Sequence, residues 1–267
     1  MGQFNSTKYR VEPVFNEIGN SPEQLNKFFR LFSRKAVLRN SFRVPSISPN
    51  ERVVVRYGSK KSGVESSGEK VLPAPSCRLE WCVENFKPEP EGRGRPVSES
   101  AEPAGKRADL RRGDRAAIEE AERLLHAGKR SGWFVLEGPT HPDIYIETES
   151  FVAVGEAKWT EPKLTASTKW FRDRDQLIRH VDALLDPDTM LELGNVGTRK
   201  VYSFFITGKD YGFGRYGKRE TFAASLPHRK EDAVETAFRS FLGRISWDDL
   251  REVDAFPTIK WNDPSGR

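Results

Sequence analysis

Apolar positions along this chain recur at two different periods, and the switches between them mark its elements. Over residues 21–38, Leu25, Phe28, Phe29, Phe32 and Ala36 return at helical spacing. Ser21, Pro22 and Gln24 give that helix a capping-box-like start with proline at its first position. Residues 52–57, with three valines between Arg52 and Arg56, read as a strand. Helical spacing returns over 78–86, through Leu79, Cys82, Val83 and Phe86, and over 114–127 behind an Asp114 N-cap. A short strand is predicted at 133–136, an amphipathic helix at 175–185, a buried strand at 200–207 and a closing helix over 231–244. Residues 58–70 and about 87–106, rich in Gly, Ser, Glu and Pro, read as a linker and a flexible insertion.

Between Thr140 and Trp159 the period is two. Asp143, Tyr145 and Glu147 share one face of a first strand, with Ile144 and Ile146 on the other. In the second strand Val152, Val154, Glu156 and Lys158 share a face, so Glu156 and Lys158 stand about 6.5–7 Å apart on one side. A turn at Thr148, Glu149 and Ser150 folds the outer ends together and sets Asp143 beside Glu156 and Lys158. Two carboxylates and an ammonium are thereby predicted to converge at one sheet end. Charges that end a run of valines are costly to bury without compensation by a metal or a phosphate.

The 267 residues carry a net charge of +5, which suits an anionic partner, and 36% hydrophobic against 31% charged residues leaves room for poorly packed segments. The two cysteines, Cys77 and Cys82, form no disulfide framework and point to a reduced, cytoplasmic protein. No apolar run approaches the roughly 18 residues of a membrane span, and MGQFNS lacks a signal-peptide core.

Pro142-Asp143 and Glu156-Ala157-Lys158 together resemble the motif of the PD-(D/E)xK nuclease superfamily, whose fold is restriction-endonuclease-like. The resemblance implies an α/β fold in which a central mixed sheet is flanked by helices. It also implies Mg²⁺-dependent phosphodiester hydrolysis, with Mn²⁺ able to substitute, on nucleic acid and on DNA first. Asp143 and Glu156 would then ligate the metal, the Ala157 carbonyl would add a third ligand, and Lys158 would orient or deprotonate the attacking water. The order of predicted elements over roughly 110–245 agrees with the family's core. The nuclease-like domain is therefore expected over 71–260, with residues 1–70 as a small N-terminal α/β extension.

Family members often carry another glutamate on the helix before the first strand, which makes Glu120 and Glu122 candidates, with Glu80 further off. On the helix after Lys158, Gln176 and His180 are four apart on one flank. Some branches carry Gln-x-x-x-Tyr there, and this chain has His180 in place of the tyrosine. Basic side chains follow the motif at Lys163, Lys169, Arg172, Arg174 and Arg179, interleaved with Trp159, Trp170 and Phe171, and again at Arg215 and Lys218 beside Tyr211, Phe213 and Tyr216. That mixture suits phosphate contacts and base stacking, and Lys163, Lys169, Arg172, Arg174, His180, Arg215 and Lys218 are the expected nucleic-acid contacts. Lys27, Arg30, Arg34 and Lys35 lie outside the first helix's apolar stripe, a pattern that serves a solvated face more often than a phosphate track. DNA cleavage is the leading expectation, with RNA cleavage or a non-catalytic nucleic-acid-binding module as alternatives.

Overall fold

The hairpin forms where the alternation placed it. In the computed structural model β2 (Ile144–Glu147) and β3 (Phe151–Lys158) pair antiparallel with Ile144 opposite Gly155. The turn is held by the Thr148 hydroxyl, which accepts from the Phe151 and Ser150 N–H groups, and by Glu51, which accepts from the Ser150 N–H at 3.0 Å. The structure describes residues 7–41, 43–57, 70–85, 109, 114–126, 137–159, 171, 173–192, 199–208, 213–251, 256 and 259–260. The predicted strand at 133–136 and the insertion at 87–106 lie outside them, as does the 58–70 linker apart from Lys70.

Among the described residues, five strands form one mixed sheet in chain order. β1 (Val54–Tyr57) joins β2 antiparallel at one edge. β4 (Lys200–Thr207) and β5 (Phe241–Ser246) continue beyond β3 in parallel, which requires crossover connections. α5 (Gln176–Leu184) and α6 (Pro187–Glu192) lie in the first crossover and α7 (Arg219–Ser225) and α8 (Glu231–Arg239) lie in the second. An α/β architecture with a mixed sheet and flanking helices is thus established.

Each sheet face has its own core. On one, α1 (Glu12–Ile18) and α2 (Pro22–Lys35) bring Phe15, Phe28, Phe29 and Phe32 against Phe151, Ala153, Phe204 and Ile206. Phe28 and Phe32 meet the Phe204 ring at 5.4 and 5.2 Å, and Phe29 meets Phe151 at 5.5 Å. Each such fully buried ring contributes roughly 1.5–3 kcal/mol. Gly155 is required here, because a Cβ at that position would lie 2.3 Å from the Phe204 ring. On the other face Leu177, Val181 and Leu184 of α5 are buried, and Phe205 packs on Tyr216 at 5.0 Å.

Three expectations are corrected. The closing helix stops at Arg239, and Phe241–Ser246 is the fifth strand. Gly243, at φ +101°, brings the chain so close to Val37 that a Cβ would sit 2.7 Å from its carbonyl oxygen, which suits a sheet edge and not a helix. Residues 1–70 are no extension either: Met1–Val71 and His141–Arg267 form one compact unit, and Leu72–Thr140 forms another. The first segment supplies the edge strand and one of the two core layers, because the Phe28/Phe29/Phe32 stripe has its partners on β3 and β4. The nuclease-like domain expected over 71–260 is accordingly divided at Thr140.

The second unit contains α3 (Ser76–Asn85) and α4 (Arg115–His126). Asp114 caps α4 by accepting from Ala117 N at 2.9 Å. Arg78, fully buried, is paired with Glu137 at 3.1 Å and lies over the Trp81 ring. Cys82 is buried and Cys77 half-buried. Among the described residues no helix is long and apolar enough to cross a membrane.

Candidate carboxylate site

The β2–β3 pairing ends with Ile144 opposite Gly155, and Asp143 immediately precedes it at the Glu156 end of the sheet. Asp143 Oδ2 accepts a hydrogen bond from the Ala157 N–H at 2.9 Å. Lys158 extends its ammonium back over both acids, 3.1 Å from Glu156 Oε2 and 3.9 Å from Asp143 Oδ2. The predicted convergence is therefore met in the structure: two carboxylates and one ammonium on one face at one end of the sheet.

Burial grades across the three. The Glu156 side chain is 0% exposed, Lys158 retains 15% and Asp143 23%. An exposed surface ion pair does not describe this arrangement. A cluster half-open to solvent at Asp143 and closed at Glu156 does.

α5 closes it from behind. Its N-terminus is fixed by Asp175, whose side chain accepts from Ile178 N. One turn then presents Gln176 and the next His180. Glu156 Oε1 accepts from Gln176 Nε2 at 3.0 Å and contacts His180 Nε2 at 2.6 Å. Glu156 Oε2, fully buried, forms an ion pair with the Lys158 ammonium at 3.1 Å. One oxygen of this carboxylate is held by α5 and the other faces the Lys158 ammonium.

The electrostatics follow. Desolvation raises the Asp143 pKa to about 7, helped by the Glu156 charge and opposed by Lys158 and the Ala157 N–H. Desolvation also raises Glu156, against the pull of Lys158, with the Asp175 charge adding to the rise. His180 is driven down to about 3 by burial first and by Arg179 second. It is therefore neutral near pH 7, with Nε2 against the Glu156 carboxyl group. The two acids share a single ammonium, and an added cation would lower both pKa values.

The residues fit such an ion. Two carboxylates with solvent access on one side match a small hard cation that keeps several waters. Among the described residues no group of three or more His, Cys, Asp or Glu side chains is disposed to hold a metal, so any ion here would take its remaining ligands from backbone, water or substrate.

The Lys158 backbone is pinned as well. Its carbonyl accepts from Gly208 N at 3.1 Å and from Trp247 Nε1 at 2.8 Å. Trp159, next in the chain, is half-buried with the Arg10 guanidinium 3.5 Å from its ring centre. Neither Trp247 nor Arg10 carries a signal in the sequence, because each partner lies far away along the chain and in no common periodic pattern.

Two expected nucleic-acid contacts are corrected. His180 is fully buried against Glu156, since its flank of α5 faces the sheet. Arg174 is also 0% exposed and pairs with Asp182 at 2.6 Å while donating to the Ser225 carbonyl. Arg215 and Lys218 are exposed, and Arg215 also pairs with Asp175 at 2.7 Å. Lys163, Lys169 and Arg172 lie outside the described residues. Glu120, half-buried, and Glu122, exposed, belong to α4 of the second unit, whereas every partner named for the site comes from the first.

No protein-family model, no curated protein and no solved structure matches this chain.

Proposed function

We propose that this protein is a divalent-metal-dependent phosphodiesterase of the PD-(D/E)xK kind acting on nucleic acid, with DNA as the first substrate to test. One observation carries the reading: Asp143, Glu156 and Lys158 share one end of one sheet face, two acids against a single ammonium. The strand pair followed by a crossover helix and a parallel strand supports a restriction-endonuclease-like arrangement of the sheet.

Asp143 and Glu156 would hold Mg²⁺ or Mn²⁺, with the Ala157 carbonyl as a third oxygen donor. The ion, when bound, polarises the phosphate and lowers the pKa of a coordinated water. Gln176 and His180 keep Glu156 Oε1 occupied, so that the carboxylate presents Oε2 alone. Lys158 offsets the paired acids and is placed to steady an attacking water or charge that develops on the phosphate. The open side at Asp143 admits the substrate and α5 excludes bulk water behind.

Purified protein incubated with plasmid, single-stranded DNA and RNA, in Mg²⁺, Mn²⁺ or EDTA, tests the reading. Cleavage in metal and none in EDTA is expected, with Glu156→Gln and Lys158→Ala inactive but still folded and still binding DNA. Glu156→Gln should also lose Mn²⁺ binding measured by calorimetry. Cleavage of RNA alone would redirect the substrate, and binding without cleavage in any metal would leave a non-catalytic nucleic-acid-binding module.

A further inference from the structure

Residues 24–50 contain six lysines and arginines and no acidic residue, a bias that carries little meaning while the segment is viewed alone. The tertiary structure gives it a location. After α2, residues 37–41 run along the outer side of β5: Val37 pairs with Arg244, and the Asn40 and Ser41 N–H groups both reach the Phe241 carbonyl. The same segment meets the 3₁₀ turn Phe213–Gly217. Asn40 Nδ2 donates to the Tyr216 carbonyl at 2.7 Å across 176 positions, and Leu38 lies 3.4 Å from where a Cβ on Gly217 would be. Arg34, Lys35 and Arg39 are exposed on one partner of this contact and Arg215 and Lys218 on the other.

That turn also leads to the carboxylate site. Arg215 and Tyr216 both donate to Asp175 Oδ2, at 2.7 and 2.6 Å. Asp175 caps the helix whose next residue, Gln176, bonds Glu156. Two basic segments distant in sequence are thus joined into one cationic border, and one end of it is connected to the site through a single side chain.

We infer that the border formed by Arg34, Lys35, Arg39, Arg215 and Lys218 is a docking surface for the sugar-phosphate backbone of the nucleic acid that enters the carboxylate site. The hydrolase reading supplies the identity of the polyanion. Charge complementarity supplies the match, since a row of exposed cations releases condensed counterions when it replaces them on phosphates. The contact carries no base specificity, because phosphates position a strand without reporting its sequence.

Binding of labelled duplex DNA to the full chain, followed by anisotropy in EDTA over roughly 50–200 mM salt, tests this. Arg39→Gln/Lys218→Gln should weaken binding at least tenfold at low salt and reduce the slope of log K against log[salt] by about 2. Arg39→Glu/Lys218→Glu should weaken it further, with thermal melting of both variants close to wild type. Unchanged affinity and slope would overturn the proposal. So would loss of binding to phosphatidylserine vesicles with DNA binding intact, which would mark a membrane surface. DNA binding that depends on the border, without cleavage in any metal, would remove the hydrolase and leave the border standing. Cleavage by a double variant with full DNA affinity would do the reverse.

Discussion

Glu156 and Asp182 are both fully buried carboxylates that contact or belong to α5, and their surroundings are opposite. Around Asp182 every oxygen is taken. Arg174 and His228 reach Oδ2 at 2.6 and 2.9 Å, and Arg229 reaches Oδ1 at 2.7 Å. Desolvation alone would push this acid up, but Arg174, His228 and Arg229 hold it well below the usual carboxylate range. Glu156 has one ammonium and two neutral neighbours against a second carboxylate, and it is pushed up. Asp182 is a finished structural joint between α5 and the segment after α7. The Glu156 cluster is short of positive charge, and such a deficit kept buried marks a candidate functional site.

The sharpest break in this comparison is catalytic. Lys158→Ala should lower metal-dependent cleavage by about 10²–10⁴-fold, the usual weight of a positioned proton-transfer or charge-stabilising group. Initial rates at saturating Mg²⁺ measure it, and wild-type rates in the variant would remove Lys158 from the mechanism.

Stability separates the two acids in opposite directions. Asp182→Asn strips compensation from the buried Arg174 and should cost about 3–5 kcal/mol in denaturant unfolding. Glu156→Gln removes an under-compensated charge and should leave stability in EDTA unchanged or raised. If both variants lose stability equally, the distinction drawn between a finished joint and an open site fails.

Gly155→Ala perturbs the site from behind. Its Cβ collides with Phe204, locked between Phe28 and Phe32, so a loss of about 1–3 kcal/mol from overpacking is expected. A fully stable Gly155→Ala would mean that the Phe204 ring can move.

The last comparison is a pH slope, in which two groups partly cancel. Asp143 goes from 3.8 unfolded to about 7 folded. The folded chain therefore holds a proton that the unfolded chain has released, and this group's contribution falls as pH rises from 3.8 to about 7. His180 acts in the other sense: its pKa drops from 6.5 to about 3, so stability is lost as pH falls below 6.5. The two slopes oppose each other in wild type. Asp143→Asn should expose the His180 slope in melting curves taken in EDTA, with its advantage over wild type growing from pH 4 to 7. Parallel curves for the two proteins would show that Asp143 titrates normally.

The hairpin, its register and the convergence of Asp143, Glu156 and Lys158 were legible in the sequence. Alternation assigns each side chain to a face, and a short turn leaves little freedom of pairing. The helices with a capping residue and an apolar stripe, such as α2 and α5, were legible for the same local reason. β5 was not: Phe241–Ser246 adjoins a helix-forming run, and only pairing with β4 and with Val37 makes it a strand. His180 illustrates the limit most clearly. Its place on a flank shared with Gln176 could be read, but whether that flank meets water or a buried carboxylate depends on how α5 crosses the sheet.

By itself the sequence determined what depends on neighbours within a few residues: periodicity, caps, the tight turn and the faces of one strand pair. Only the tertiary structure decided that residues 1–71 belong with the sheet, that Arg174 and His180 lie inside, and that Arg39 and Lys218 share one border. These outcomes depend on which surfaces pack together over long chain separations. Packing is chosen by the shape and burial of whole elements, which no local pattern contains.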